Sequence, residues 1–159
     1  MILSGAAYGL AICLAIMNVG LPDRQVKLAC KMMPTIIDAA KKHEVNPMLL
    51  VSIIQVESSW NPKAVSNKGA CGLMQVIPKW NPKRDGSVYT CKELKKPKLN
   101  IMVGAKALRK WNKRSGGNTP LAICAYNAGN ICFKRIKTKY LRKVETVFYS
   151  LVAHMPMNR

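Results

Sequence analysis

One carboxylate stands apart from the others in this chain. Glu57 follows the run Leu49-Leu50-Val51-Ser52-Ile53-Ile54-Gln55-Val56, in a sequence with 26 Lys and Arg and only 7 Asp and Glu. It lies four residues after Ile53 and three after Ile54, so a helix here turns its side chain toward the same side as those apolar residues. Burial disfavours the charged form of a carboxyl, and the negative end of the helix dipole, in whose last turn Glu57 falls, acts in the same direction. An acid kept protonated near neutral pH is what cleavage of a glycosidic bond requires, because the sugar oxygen departs as an alcohol only when it receives a proton. Periodicity by itself favours a plainer reading, an exposed Glu at a frayed helix end. The surroundings of Glu57 therefore decide.

The elements that must position it read as helices. From Gln25 to His43, Val26, Ala29, Cys30, Met33, Ile36, Ile37 and Ala40 recur at spacings of three and four, the pattern of an amphipathic helix. Asn46-Pro47 supplies an N-cap and a first-turn proline for the helix that ends near Ser59, ahead of Asn61-Pro62. A polar loop leads to an expected short helical piece from Gly72 to Ile77, stopped by Pro78, and residues 78–98 read as a surface excursion. Helical pattern resumes from Asn100 to Trp111 and closes at Gly116-Gly117; Thr119-Pro120 starts another helix that Gly129 ends. A last helix, Thr138 to His154, turns Tyr140, Leu141, Val144, Val147, Phe148 and Leu151 inward. With no alternating strand and no internal repeat, the expectation is one compact all-α domain over residues 23–159.

Residues 1–22 are set apart because they carry no charged side chain. The run is long enough to span a bilayer, yet it lacks a basic leader and a small-x-small cleavage site. Three readings stay open: a membrane anchor, an atypical export signal, or an apolar helix buried in a larger assembly. The net charge of +19 favours polyanions, whether nucleic acid, anionic lipid or an acidic wall polymer. The basic residues show no aromatic-interleaved strands and no nucleic-acid module, so they read as solvated faces and not as a specific nucleic-acid site. Six cysteines suggest an oxidising compartment, without any metal-ligand spacing. Setting Cys13 aside with the apolar segment leaves five, hence at least one unpaired, and Cys30 and Cys124 fit the role of small buried hydrophobes.

Four ordered motifs carry a resemblance. Glu57-Ser58, Ala64-x-Ser66 and Gly69-Ala70-x-Gly72-Leu73-Met74-Gln75 are similar to the first motif of the soluble lytic transglycosylases, bacterial and phage enzymes with a lysozyme-like domain that cleave peptidoglycan. Asn100-Ile101-x-x-Gly104 resembles their second motif, Ala125-Tyr126-Asn127-Ala128-Gly129 their third, and Tyr140-Leu141-x-x-Val144 their terminal Tyr-Val element. The chain departs from the pattern at Cys71 and at Asn130-Ile131-Cys132, where a Gly-x-Gly is usual. The resemblance implies an all-α, lysozyme-like fold with Glu57 as the sole catalytic acid and base at the end of a buried helix. It further implies that Ser58, Ser66, Gln75, Tyr126 and Asn127 line a saccharide groove, with Tyr140 beside Glu57 to orient it. Neither metal nor cofactor enters that chemistry.

Hydrolytic glycosidases usually need a second carboxylate. None of Asp23, Asp38, Glu44, Asp85, Glu93 or Glu145 falls inside a groove motif. The expectation is therefore non-hydrolytic cleavage of the MurNAc-GlcNAc β-1,4 bond. Glu57 would protonate the leaving oxygen and then act as base on the muramic C6 hydroxyl, closing a 1,6-anhydro ring. Two alternatives stand beside it: a hydrolytic lysozyme or chitinase in which Asp85 or Glu93 reaches in, and a non-catalytic wall-binding protein. The resemblance implies a peptidoglycan strand as partner and a place in the periplasm or cell envelope; the uncharged residues 1–22, which lie outside it, add the expectation of a membrane or assembly contact, with the protein anchored or delivered in a virion. The machine served would be one of secretion, conjugation or phage genome delivery.

Overall fold

The computed structural model describes residues 4–156. Seven α-helices carry the fold: α1 (Gly5–Asn18), α2 (Asp23–His43), α3 (Pro47–Ser58), α4 (Cys91–Leu94), α5 (Pro97–Arg114), α6 (Thr119–Ala128) and α7 (Thr138–Ala153), with 3-10 turns at Pro78–Trp80 and Gly129–Phe133. Local signals set several of these ends. Asn46 Oδ1 accepts the Met48 and Leu49 N–H groups at 2.8 and 3.3 Å, and Asn118 accepts that of Leu121 at 2.9 Å, each with a proline in the first turn of its helix. α5 begins at Pro97, three residues ahead of the expected Asn100, because that proline itself is a good first helical residue.

α3 is the axis of the molecule. Met48 through Ile54 are all buried, and even Ser52 is enclosed, its hydroxyl donating to the Met48 carbonyl at 2.8 Å. α2 and α7 pack against it, α5 packs on α2, and α6 joins α5 to α7. The main apolar core draws Ile36, Leu50, Ile53, Ile54, Leu108 and Leu151 from four helices, and a small separate cluster surrounds Cys124, Ala125 and Cys132.

Three expectations change. Gly72 to Ile77 is not helical: it is a tight turn flanked by two isolated antiparallel bridges, Val65 with Cys71 and Cys71 with Val76. Gly72 and Gln75 both take positive φ, +77° and +47°, which a right-handed helix excludes. The cysteines are not odd in number within the fold. They form three disulfides, Cys13–Cys30, Cys71–Cys91 and Cys124–Cys132, so Cys30 and Cys124 are bonded residues and not free buried thiols. The miscount came from setting Cys13 aside. α1 runs antiparallel along α2, with Gly5 and Gly9 close against Ile37 and Met33, and this register brings Cys13 opposite Cys30.

α1, within the apolar segment, thus shares the common core through Ile12, Ala15 and Ile16 while Leu10, Leu14 and Met17 face outward. Among the described residues no helix is long and apolar enough to cross a membrane.

Candidate active site

Glu57 lies in the last turn of α3. The chain then reverses through two consecutive non-glycine residues with positive φ, Ser59 at +48° and Trp60 at +61°. Such backbone is costly for a side chain as large as indole and persists only where packing holds it; Trp60 is buried in the core. The reversal stops the helix one residue past the carboxylate and leaves that group half-buried at the helix end.

Tyr140, in the first turn of α7, donates its hydroxyl to Glu57 Oε1 at 2.7 Å. Burial raises the Glu57 carboxyl from its ordinary 4.5 to about 7, and the Tyr140 hydrogen bond opposes this by favouring the anion. Desolvation holds both the Tyr140 and the Tyr126 phenols well above their usual range, and the Glu57 charge adds to the effect. Both tyrosines therefore stay protonated beside a carboxyl that changes charge near neutrality.

A turn from the 64–76 loop completes the neighbourhood, and Met74 is its pivot. The Met74 N–H donates to Asn100 Oδ1 at 2.7 Å, the Met74 carbonyl accepts the Tyr126 hydroxyl at 2.8 Å, and its side chain lies against Gly104. Asn100, fully buried in α5, uses its amide to donate to the Cys71 and Leu94 carbonyls at 2.8 and 2.7 Å. A β-carbon at Gly72 would collide with the Leu94 carbonyl and the Asn100 amide, so only glycine fits there. The Cys71–Cys91 disulfide ties the same turn to α4.

Glu57, Tyr140 and Tyr126 are brought together. Ser58, Ser66 and Gln75 turn toward their own backbone: the Ser58 hydroxyl donates to the Ile54 carbonyl at 3.2 Å, and Ser66 Oγ accepts the N–H groups of Lys68 and Ala70 at 3.2 and 3.1 Å. Gln75 Nε2 donates to the Ala64 and Gly72 carbonyls at 3.3 and 3.0 Å. Asn127 is exposed at the end of α6. Sequence reasoning named Asn100 and Gly104 only as motif members. Their work on Met74 was hidden because it reaches across 26 residues from Asn100, and further from Gly104, and leaves no local periodicity. Among the described residues no three His, Cys, Asp or Glu side chains are grouped to hold a metal.

An all-α fold whose central buried helix ends in one shielded acid, faced by a phenol, is of the lysozyme-like class. Within that class the chain belongs to the family described as Transglycosylase SLT domain, which matches residues 34–147. Among curated relatives, an endo-type membrane-bound lytic murein transglycosylase A of Klebsiella pneumoniae is 38% identical over 96 residues, covering 55% of this chain and 46% of its own. A transglycosylase of Enterobacteria phage PRD1 is 35% identical over 100 residues, 60% of this chain and 34% of its own. The chain thus spans less than half of the length of these relatives. The lytic transglycosylase Slt of Pseudomonas aeruginosa, solved as an inactive glutamate-to-glutamine mutant, superposes with TM-score 0.63 at 25% identity, over 76% of this chain and 23% of that one. The 70 kDa soluble lytic transglycosylase of Escherichia coli shares the fold, with TM-score 0.57 at 22% identity over 91% of this chain and 26% of its own.

Proposed function

We propose that the protein is a peptidoglycan lytic transglycosylase that cleaves the MurNAc-GlcNAc β-1,4 bond without water, leaving 1,6-anhydro-MurNAc ends. In this reading it acts at the cell envelope and opens the wall locally for a secretion, conjugation or phage genome-delivery machine. The observation that carries it is the Glu57 carboxyl, raised to about 7 by burial and bonded by one phenol. Such a group is present in both forms near neutral pH, as a residue must be to give a proton to the leaving oxygen and then take one from the C6 hydroxyl. Tyr140 steadies the anion formed between those steps, and its own raised pKa keeps it a donor.

The carboxylates considered for a hydrolytic mechanism are engaged elsewhere. Asp85 accepts the N–H and hydroxyl of Ser87 at 2.9 and 2.7 Å. Glu93 is bound by Lys83 at 2.8 Å and by the Thr90 N–H and hydroxyl at 2.7 and 2.9 Å, which pull it down to about 2. Both serve their own exposed turn. Ser66 keeps a hydroxyl proton for a sugar oxygen, Gln75 keeps Oε1, and Asn127 its whole amide; with Ser58 and Tyr126 these are the groove contacts we assign. The outward Leu10, Leu14 and Met17 of α1 supply the membrane or assembly contact.

Mass spectrometry of muropeptides released from purified wall tests the reading. Anhydro ends are expected from the parent, and Glu57→Gln should lower their release at least roughly 100-fold. Reducing ends would indicate hydrolysis, and wall binding without turnover would indicate a glycan grip.

A further inference from the structure

The segment that leads from α6 into α7, Ile131-Cys132-Phe133-Lys134-Arg135-Ile136-Lys137, interleaves large apolar side chains with cations. A chain in water turns such apolar groups inward where it can. Here Ile131, Phe133 and Ile136 stay 49%, 40% and 40% exposed, and Lys134, Arg135 and Lys137 are exposed among them. The cause is local. Cys132, only 2% exposed, is bonded to the buried Cys124, which pins the chain inward between Ile131 and Phe133 and leaves both at the surface. The Lys137 N–H donates to Cys124 Sγ at 3.0 Å, so the far end of the segment is tied to the same residue. The surface continues onto α5. The Phe133 ring lies 6.3 Å from that of half-buried Trp111, and the exposed Arg114 guanidinium stands 5.4 Å from the first ring and 5.7 Å from the second.

Nothing nearby in the sequence neutralises these cations, because no Asp or Glu occurs between Glu93 and Glu145. Among the described residues the ion pairs are Lys83 with Glu93 and Arg109 with Glu44, neither of them in this segment. A run of cations is ordinarily a solvated face, and single exposed apolar residues are common. Three apolar side chains held outward among unpaired cations are a different case, since water solvates the cations and gains nothing from the rest. A matching occupant offers negative charge and an apolar phase side by side. Nucleic acid offers the charge but no apolar phase for two isoleucines, and the hydroxyls of a glycan offer neither. The boundary of an anionic bilayer offers both, with phosphates at the level of the cations and acyl chains beneath them. This face also differs from the outward side of α1, where Leu10, Leu14 and Met17 come with no cation.

We propose that the 131–137 segment, with Arg114, is a docking face for the surface of an anionic phospholipid bilayer. Ile136 precedes Tyr140 by four residues, so their Cα atoms lie within about 15 Å, and docking brings the end of the molecule that holds Glu57 close to the bilayer. The docking goes beyond the wall-cleaving function and does not depend on it.

Co-sedimentation of the whole chain with vesicles, in the absence of wall, tests this. One set of vesicles contains phosphatidylglycerol with phosphatidylethanolamine, the other phosphatidylcholine alone. The parent is compared with Lys134→Gln/Lys137→Gln and with Ile131→Ser/Ile136→Ser, which leaves the contact of Phe133 with Trp111 in place. Lys27→Gln/Lys31→Gln removes the same charge from exposed positions on α2. Circular dichroism checks each fold, and Ile136→Ser alone replaces the double isoleucine substitution if that one does not fold. The parent should bind the phosphatidylglycerol vesicles and bind phosphatidylcholine far more weakly. A basic residue at an anionic surface changes partition by roughly 5-fold, so Lys134→Gln/Lys137→Gln should lower it roughly 10- to 30-fold. Loss of the two isoleucines should lower it by roughly 10-fold, and the α2 substitutions by much less. No binding by the parent would overturn the proposal. An equal loss from the α2 substitutions would assign the binding to net charge, and parent-like binding without the isoleucines would show that nothing enters the apolar phase; each overturns it. So would a loss of the same size on purified, lipid-free wall, which would make this face part of the glycan contact.

Discussion

Glu57→Gln should change the pH dependence of folding stability, apart from anything it does to catalysis. In the unfolded chain Glu57 titrates near its ordinary 4.5, and in the folded protein near 7. Below about pH 4.5 the group is neutral in both states and contributes nothing to the difference. Between these values the unfolded chain releases its proton while the folded one retains it. The folded state then binds more protons, so stability falls as pH rises, and above about pH 7 the loss is complete. A displacement from 4.5 to about 7 corresponds to about 3 kcal/mol. The substituted glutamine cannot ionise, and its carbonyl can still accept the Tyr140 hydroxyl. Whatever the offset between the two proteins at about pH 4, the glutamine variant should gain about 3 kcal/mol on the parent by about pH 8, or about 6 to 12 °C in Tm for a chain of this size. Thermal melts across that range, without reductant so that the disulfides persist, would measure it. A difference that stays constant from acid to mildly alkaline pH would refute the claim that burial holds this carboxyl protonated.

Other changes should read out the surrounding supports. Tyr140→Phe removes the one hydrogen bond that lowers the Glu57 pKa, so the alkaline limb of the pH–rate profile should move up by about one pH unit while kcat falls. Gly104→Ala drives a β-carbon into Met74 and should cost about 1–3 kcal/mol in urea denaturation, with a further fall in kcat because Met74 also holds Tyr126. Binding to isolated wall should weaken steeply as salt rises from about 50 to about 500 mM, where the Debye length shrinks from roughly 14 to roughly 4 Å, as a pelleting assay would show.

Helix boundaries were legible where their cause is local. Asn46-Pro47 and Thr119-Pro120 announce α3 and α6 because a cap and a first-turn proline act within a few residues, although the side chain that caps α6 is Asn118, one residue earlier. The spacing of Glu57 from Ile53 and Ile54 pointed to the apolar side, yet periodicity by itself favoured an exposed helix end, and only the surrounding motifs decided for the shielded carboxyl seen here. The Gly72–Gln75 turn was not, since its shape comes from Asn100, 26 to 29 residues away, and from the room that only a glycine leaves beneath Leu94. Nor was the Cys13–Cys30 bond, because a run without charges looks the same in sequence whether it covers lipid or another helix. The pairing of Glu57 with Tyr140 crosses 83 residues; only resemblance to a family put the two side by side beforehand.

The Cys71–Cys91 bond closes residues 71–91 into a ring, and the ring's outer arc is its most accessible part: Arg84 through Val88 are all exposed. A protease meeting this chain finds an exposed basic residue at Arg84, where the exposed arc begins. Cutting there separates nothing. The piece bearing Glu57 remains covalently joined through sulfur to the piece bearing Tyr126 and Tyr140, and Asn100 still grips the Met74 turn from across the break. The molecule can therefore lose a peptide bond on its most vulnerable side and keep its parts in register.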